Sequence, residues 1–175
     1  MGGPATIEGS PHKHHPETDN FEHVKFVVGG VEYHSPENYF QCQKSVGVCE
    51  REFEATRQSG CGCDVWMAGM RVKLRPDWEA VKVRVMYDGN RAKFEQHPDR
   101  AARLVASGRG RIHFGASSAF WCYWNAKIMT LLREELRAEA ERDNDLISQI
   151  WKEMDEYEAN ERRKMDANGG NDNNK

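Results

Sequence analysis

The residues best placed to do chemistry lie in Tyr33-His34-Ser35-Pro36-Glu37-Asn38-Tyr39-Phe40-Gln41-Cys42-Gln43-Lys44. Ser35 is suited to capping the free N–H groups of a helix start, and Pro36 fits a first helical position that needs no N–H. At about 3.6 residues per turn, Glu37, Gln41 and Lys44 fall on one narrow stripe. Tyr39, Cys42 and Val46 fall on another face, expected to meet the core. An acid, an amide and an amine therefore line up beside Phe40, near the positive end of a helix dipole. That trio suits acid–base and amine chemistry on a small molecule. A lone stripe of this kind is ordinarily an exposed ion-pair face, so its weight depends on what holds it.

Positioning comes first from the preceding segment. Val24 to Val28 and Val31 to Tyr33 are β-rich runs joined by Gly29-Gly30, a tight-hairpin signature. The second strand leads straight into the Ser35-Pro36-Glu37 helix and fixes where Glu37 points. Gly47 is expected to end that helix. A helix anchored by Phe53 follows, then a break at Ser59-Gly60-Cys61-Gly62-Cys63 and a short helix capped by Asp64. Arg71, Lys73 and Arg75 then gather three cations before Pro76-Asp77-Trp78 opens the longest helix of the middle chain. Asp88-Gly89-Asn90 is expected to weaken it, and Pro98 to end it. Asp99 caps the helix after that. Arg111 to Phe114 reads as a strand. Ser117 to Asn125 sets Phe120, Trp121, Tyr123 and Trp124 beside hydroxyls and an amide, suited to core packing or to a stacking wall.

Composition narrows the function classes. The net charge of −3 at pH 7 gives no global basic signature, so broad electrostatic binding to nucleic acid is not implied. No apolar run reaches membrane-spanning length. Five cysteines and no signal-peptide pattern are expected for reduced thiols of the cytosol or nucleus. Cys61-Gly62-Cys63 lacks zinc-ribbon spacing, so neither metal nor cofactor is expected. The expected organisation is a flexible arm over residues 1–20, including His12, His14 and His15, and a domain over 21–142. A charged amphipathic helix follows over 143–165, and a polar tail over 166–175. Leu146, Ile150, Met154 and Tyr157 would pack that helix on the domain or pair it with a second copy.

The order of motifs resembles the NADAR family, also called YbiA-like. It is carried by Tyr33 to Gln41 with Lys44, by Arg75-Pro76-Asp77-Trp78 with Lys82 and Met86, and by Lys93-Phe94. Phe120-Trp121, Asn125 and Arg133-Glu134-Glu135-Leu136 complete it, so it spans about Lys25 to Leu136. The resemblance implies an α+β fold, mostly helical, around a small antiparallel sheet. It implies N-glycosidase chemistry on ribosylated nitrogen: release of ADP-ribose from guanine bases, or cleavage of phosphoribosylamino-pyrimidine intermediates of riboflavin synthesis. A module that binds ADP-ribose or a nucleotide without hydrolysis is the alternative. Carried over residue by residue, Glu37, Lys44 and Asp77 are the candidate reactive groups. Tyr39, Gln41, Arg75, Trp78, Lys93, Trp121 and Asn125 are the candidate substrate contacts. The implied partner is an ADP-ribosylated nucleobase or nucleotide, with single-stranded nucleic acid as its accessible carrier. Three positions depart from the pattern of many bacterial relatives: His113 and Ser118 stand where acidic residues are usual, and Cys122 where glycine is. The glycine-rich link before the last family helix is shortened to Cys122-Tyr123-Trp124-Asn125.

Overall fold

The computed structural model describes residues 3–169, with side chains through residue 167. Chain order is β1 (Thr6–Ile7), a 3-10 helix (Pro16–Thr18), β2 (Phe26–Val28), β3 (Val31–Tyr33), α1 (Pro36–Gln43), α2 (Glu50–Gln58) and α3 (Gly62–Gly69). Then come α4 (Trp78–Gln96), α5 (Pro98–Ala106), β4 (Ile112–His113), α6 (Ala119–Glu135), a second 3-10 helix (Glu139–Glu141) and α7 (Asn144–Gly169). The fold is thus helical with two small antiparallel sheets, an α+β arrangement as expected.

The hairpin forms as its sequence predicts. β2 pairs with β3 in register Phe26 to Tyr33, and Gly29 and Gly30 both take positive φ, 59° and 80°. Ser35 caps α1 by accepting from the Asn38 N–H at 3.0 Å, and Pro36 occupies its first turn. Tyr39 and Cys42 face the core, but Val46 is exposed. Asp64 lies in the first turn of α3, and Cys61 is the capping position. α4 does not break at Asp88-Gly89-Asn90. A Cβ at Gly89 would stand 2.7 Å from Tyr39 Cδ1, so glycine is there to let α4 lie against α1. The propensity cost of glycine is offset by that close packing.

The largest correction concerns residues 1–20. A segment with so little apolar content is expected to stay free, yet residues 5–20 are fastened to the domain. β1 pairs antiparallel with β4, Thr6 opposite His113. The rest is held by buried polar groups. His15 Nδ1 lies 2.8 Å from Glu17 Oε1, and Arg103 donates to Glu17 Oε2 at 2.9 Å. Thr18 Oγ1 donates to the His15 carbonyl and accepts from the Ala5 N–H. Lys93, with no exposed surface, donates to the Glu17 carbonyl at 2.7 Å. Specific pairing replaces hydrophobic burial here, and no periodicity announces it.

α7 lies along α4 and α6. Ile150 and Met154 are buried, and the Trp151 ring meets Tyr87 at 4.7 Å. The appended-helix reading therefore describes its packing within one chain. Helix continues to Gly169, past the expected start of the polar tail, and residues 170–175 lie outside the described part. Among the described residues no helix is long and apolar enough to cross a membrane.

Candidate active site

The stripe on α1 is buried rather than solvated. Glu37 and Gln41 have essentially no exposed surface, and Gln41 Nε2 donates to Glu37 Oε1 at 2.6 Å. The Glu37 N–H donates to the Asn20 carbonyl at 2.9 Å, so the N-terminal segment sets the first turn of α1. Asn20 in turn donates to Asn125 Oδ1 at 3.3 Å and accepts from Asn90 Nδ2 at 2.9 Å. A carboxylate, a glutamine and three asparagines thus form a polar seam through an apolar interior. Such seams rigidify a site when their groups are paired.

Aromatic rings close the seam on one side. Phe40 meets Trp78 at 4.9 Å and Trp121 at 5.1 Å, both edge-on. Lys44 follows one turn after Gln41. Its Nζ donates to the Gly69 carbonyl at 3.1 Å and lies 5.8 Å from the Phe40 ring centre and 5.9 Å from that of Trp78. Burial pushes the Lys44 pKa below its usual 10.5, while the charges of Glu37 and Glu79 pull the other way. A lowered pKa enlarges the neutral fraction of an amine, the form that acts as a nucleophile.

Arg75 and Asp77 sit beside this group. The Arg75 N–H donates to the Lys44 carbonyl at 2.6 Å. Its guanidinium holds Asp77 at both oxygens, at 2.6 and 3.0 Å. That pairing keeps the Asp77 carboxyl below the usual carboxylate range. A half-exposed, ion-paired carboxylate is a weak base, so the geometry gives Asp77 the task of holding Arg75 at the rim.

The sequence-predicted residues therefore separate into groups. Glu37, Gln41, Lys44, Trp78, Trp121 and Asn125 gather around Phe40 and Asn20. Arg75 and Asp77 stand at the edge. Tyr39 lies on the core face of α1, with its ring 5.0 Å from Tyr33. Lys93 holds the carbonyls of Glu17 and Asp19. The structure thus places neither Tyr39 nor Lys93 with the gathered groups; Lys93 supports the segment that carries Asn20.

Other residues escaped sequence reasoning. Gly69 ends α3 directly over the stripe; a Cβ there would come within 1.9 Å of Gln41 Oε1. A hollow of about 420 Å³ opens beside Trp121, lined also by Phe21, Trp66, Ser117 and Ser118. The departures from the bacterial pattern have local employment. Ser118 caps α6, accepting from the Trp121 N–H at 3.4 Å, and His113 pairs with Glu8 at 2.6 Å. Cys122 Sγ lies 3.5 Å from the Ser117 carbonyl.

A family model described as the NADAR domain matches residues 5–137. This chain belongs to the NADAR domain family. The match begins with the fastened N-terminal segment and stops short of α7. Among curated relatives, N-glycosidase YbiA of Escherichia coli (strain K12) and that of Shigella boydii serotype 4 (strain Sb227) are each 36% identical over 104 residues. That stretch is 58% of this chain and 64% of theirs, so the match leaves more than a third of each relative uncovered. The NMR structure of the E. coli protein YbiA superposes with a TM-score of 0.62 at 30% identity, covering 69% of this chain and 77% of that one. The NADAR resemblance and the fold that it implied both stand.

Proposed function

We propose that this NADAR protein is an N-glycosidase that hydrolyses the bond between ribose and a nucleobase-type nitrogen, with ADP-ribose on guanine as its substrate. The observation that carries this reading is the buried Glu37–Gln41 pair, one turn ahead of an amine desolvated against Phe40 and Trp78. Breaking a glycosidic C–N bond needs a proton for the departing nitrogen and a partner for the electron-poor sugar carbon.

The arrangement suits a Schiff-base route. An exocyclic ribosylamine opens its ring, giving an imine at C1. Lys44 Nζ adds to that carbon through its lone pair. The lysine nitrogen of the adduct carries an extra proton; the Glu37 carboxylate takes it and passes it to the base nitrogen, which leaves with the bonding electrons, so the sugar is now an imine of Lys44. Water adds to this imine, and its collapse returns the lysine amine and the free sugar. The sum is addition of one water across the C–N bond. Direct attack by water activated at Glu37 is the competing route. Arg75 at the rim is suited to a phosphate of the ADP-ribose.

A panel assay tests the reading. ADP-ribosyl-guanine DNA and a phosphoribosylamino-pyrimidine are offered to the full chain, with Glu37→Ala as control. Release of guanine-bearing product, lost in the variant, is expected. Borohydride added during turnover is expected to trap the sugar on Lys44; turnover without any adduct removes the Schiff-base route. Cleavage of the pyrimidine alone would reassign the substrate.

The second reading, a module that binds without cleaving, draws on one observation. Glu37, Gln41 and Asn125 are fully buried and do not line the hollow beside Trp121. Turnover therefore needs local opening. The element over the stripe, α3, is weakly anchored: only Val65 and Gly69 are buried, Trp66, Met67 and Met70 are exposed, and Gly60 precedes and Gly62 opens its first turn. Tight ADP-ribose binding without released base would favour the module.

A further inference from the structure

Arg133 lies across α6 from the residues just described. Trp121, Asn125, Ile128 and Leu132 recur at helical spacing on one face; Ala126, Thr130 and Arg133 recur on another. Arg133 is 2% exposed, yet its Nε and Nη1 have no hydrogen-bond partner among the described residues. The neighbouring carboxylate is already taken. Glu134 accepts from Arg109 at 3.0 Å, from Arg137 at 3.1 Å on both oxygens, and from the Asp143 N–H at 3.4 Å. Its Oε1 stands 4.0 Å from Arg133 Nε, beyond hydrogen-bond reach. One buried carboxylate therefore faces three guanidinium groups, and positive charge is left over in a desolvated place. A buried charge of this kind calls for a counter-ion.

The space for one is beside it. A cavity of about 540 Å³ is bounded by β4, α6 and the start of α7, and Arg133 is part of its wall. Arg111 adds positive charge to the wall, where Arg109 and Lys127 are already paired with Glu134 and Glu153 at 3.0 and 2.9 Å, while Ile112, Phe114 and Ile150 give it an apolar side. Asp143 is the opposing carboxylate at the rim, and one of its oxygens caps α7 by accepting from the Leu146 N–H at 3.0 Å. We propose that this cavity is a second ligand site for a small organic anion, its phosphate or carboxylate head on Arg133 and its apolar or planar body against Ile112, Phe114 and Ile150. The family match ends at residue 137, so α7 adds one wall of this site to the NADAR core. The site is independent of whether the Glu37 region cleaves or only binds.

Calorimetric titration of the full chain tests it, with AMP, ribose 5-phosphate and benzoate as probes and neutral adenosine as control. Either class of anion is expected to bind wild type and Lys44→Ala alike, and at least tenfold more weakly in Arg133→Met and in the cavity-filling Thr130→Tyr. AMP and ribose 5-phosphate without benzoate would name the head group as phosphate; the converse would name carboxylate. In anion-free buffer Arg133→Met is expected to melt no lower than wild type, because the unpaired charge is gone. Binding lost in Lys44→Ala but kept in Arg133→Met and Thr130→Tyr would place the anion in the reaction pocket and overturn the proposal. So would the absence of binding by every probe. Should Arg133→Met fail to fold, Thr130→Tyr decides.

Discussion

Gly69→Ala is the sharpest test of how the site is built. The added Cβ would lie 1.9 Å from Gln41 Oε1, 2.6 Å from Cδ and 2.7 Å from Cβ. Ordinary carbon contacts start near about 3.5 Å, so one partner must give way by more than an ångström. Gln41 has nowhere to go, since it is 1% exposed and tied to Glu37 at 2.6 Å. Overpacking of this kind costs about 1–3 kcal/mol. Loss of the bond to the Glu37 carboxylate adds about 1.5–3 kcal/mol, the range for hydrogen bonds to charged groups. Urea unfolding should therefore show a loss of about 2.5–6 kcal/mol, unless α3 lifts away, in which case its amides exchange faster and the loss is smaller. In either case activity should fall. A double variant with Gln41→Ala removes two of the three clashes and should lose less than the sum of the singles. Wild-type stability, amide exchange and activity in Gly69→Ala would refute the proposed closure of α3 over the stripe.

Other predictions follow from single contacts. Gly89→Ala raises helix propensity but drives a methyl 2.7 Å from Tyr39, so a net loss of about 1–3 kcal/mol is expected in denaturant unfolding; a gain would contradict the close packing. Burial lowers the Lys93 pKa from 10.5 to about 8, so protonation favours the unfolded chain. Its destabilisation is full below pH 8 and fades as pH rises from about 8 to about 10.5, a recovery of about 3 kcal/mol. The stability difference between wild type and Lys93→Met should change through that window; a flat difference refutes it. The Lys44 pKa is lowered too, so glycosidase rate under a Schiff-base route should rise with pH on a limb centred below 10.5, and that limb should vanish in Lys44→Ala. Ile150→Ala should cost about 2–5 kcal/mol, because a fully buried side chain of α7 is cut away; a loss under 1 kcal/mol by the same unfolding measurement would detach α7 from the core.

The parts legible in the sequence were those with local causes. Gly29-Gly30 demanded a hairpin, Ser35-Pro36 demanded a helix start, and helical spacing put Glu37, Gln41 and Lys44 on one side. Their burial was not legible, because Gly69 at the end of α3 reaches them from 25 or more residues away. Asn20 was missed for a related reason: its neighbours are polar, and polar burial depends on partners such as Asn90 and Lys93 far along the chain. Tyr39 illustrates the converse. Its core-facing position on α1 followed from periodicity, whereas its role as a substrate contact was only carried over from the motif.

The fastening of residues 5–20 bears on how this domain is cut for laboratory use. A recombinant fragment started at the first obvious β-run, near Val24, would keep Glu37 and Lys44 and still be deficient. It would lack the carbonyl that receives the Glu37 amide and the strand that covers the rim of β4. A weak or insoluble product would then report the missing leader, not the chemistry.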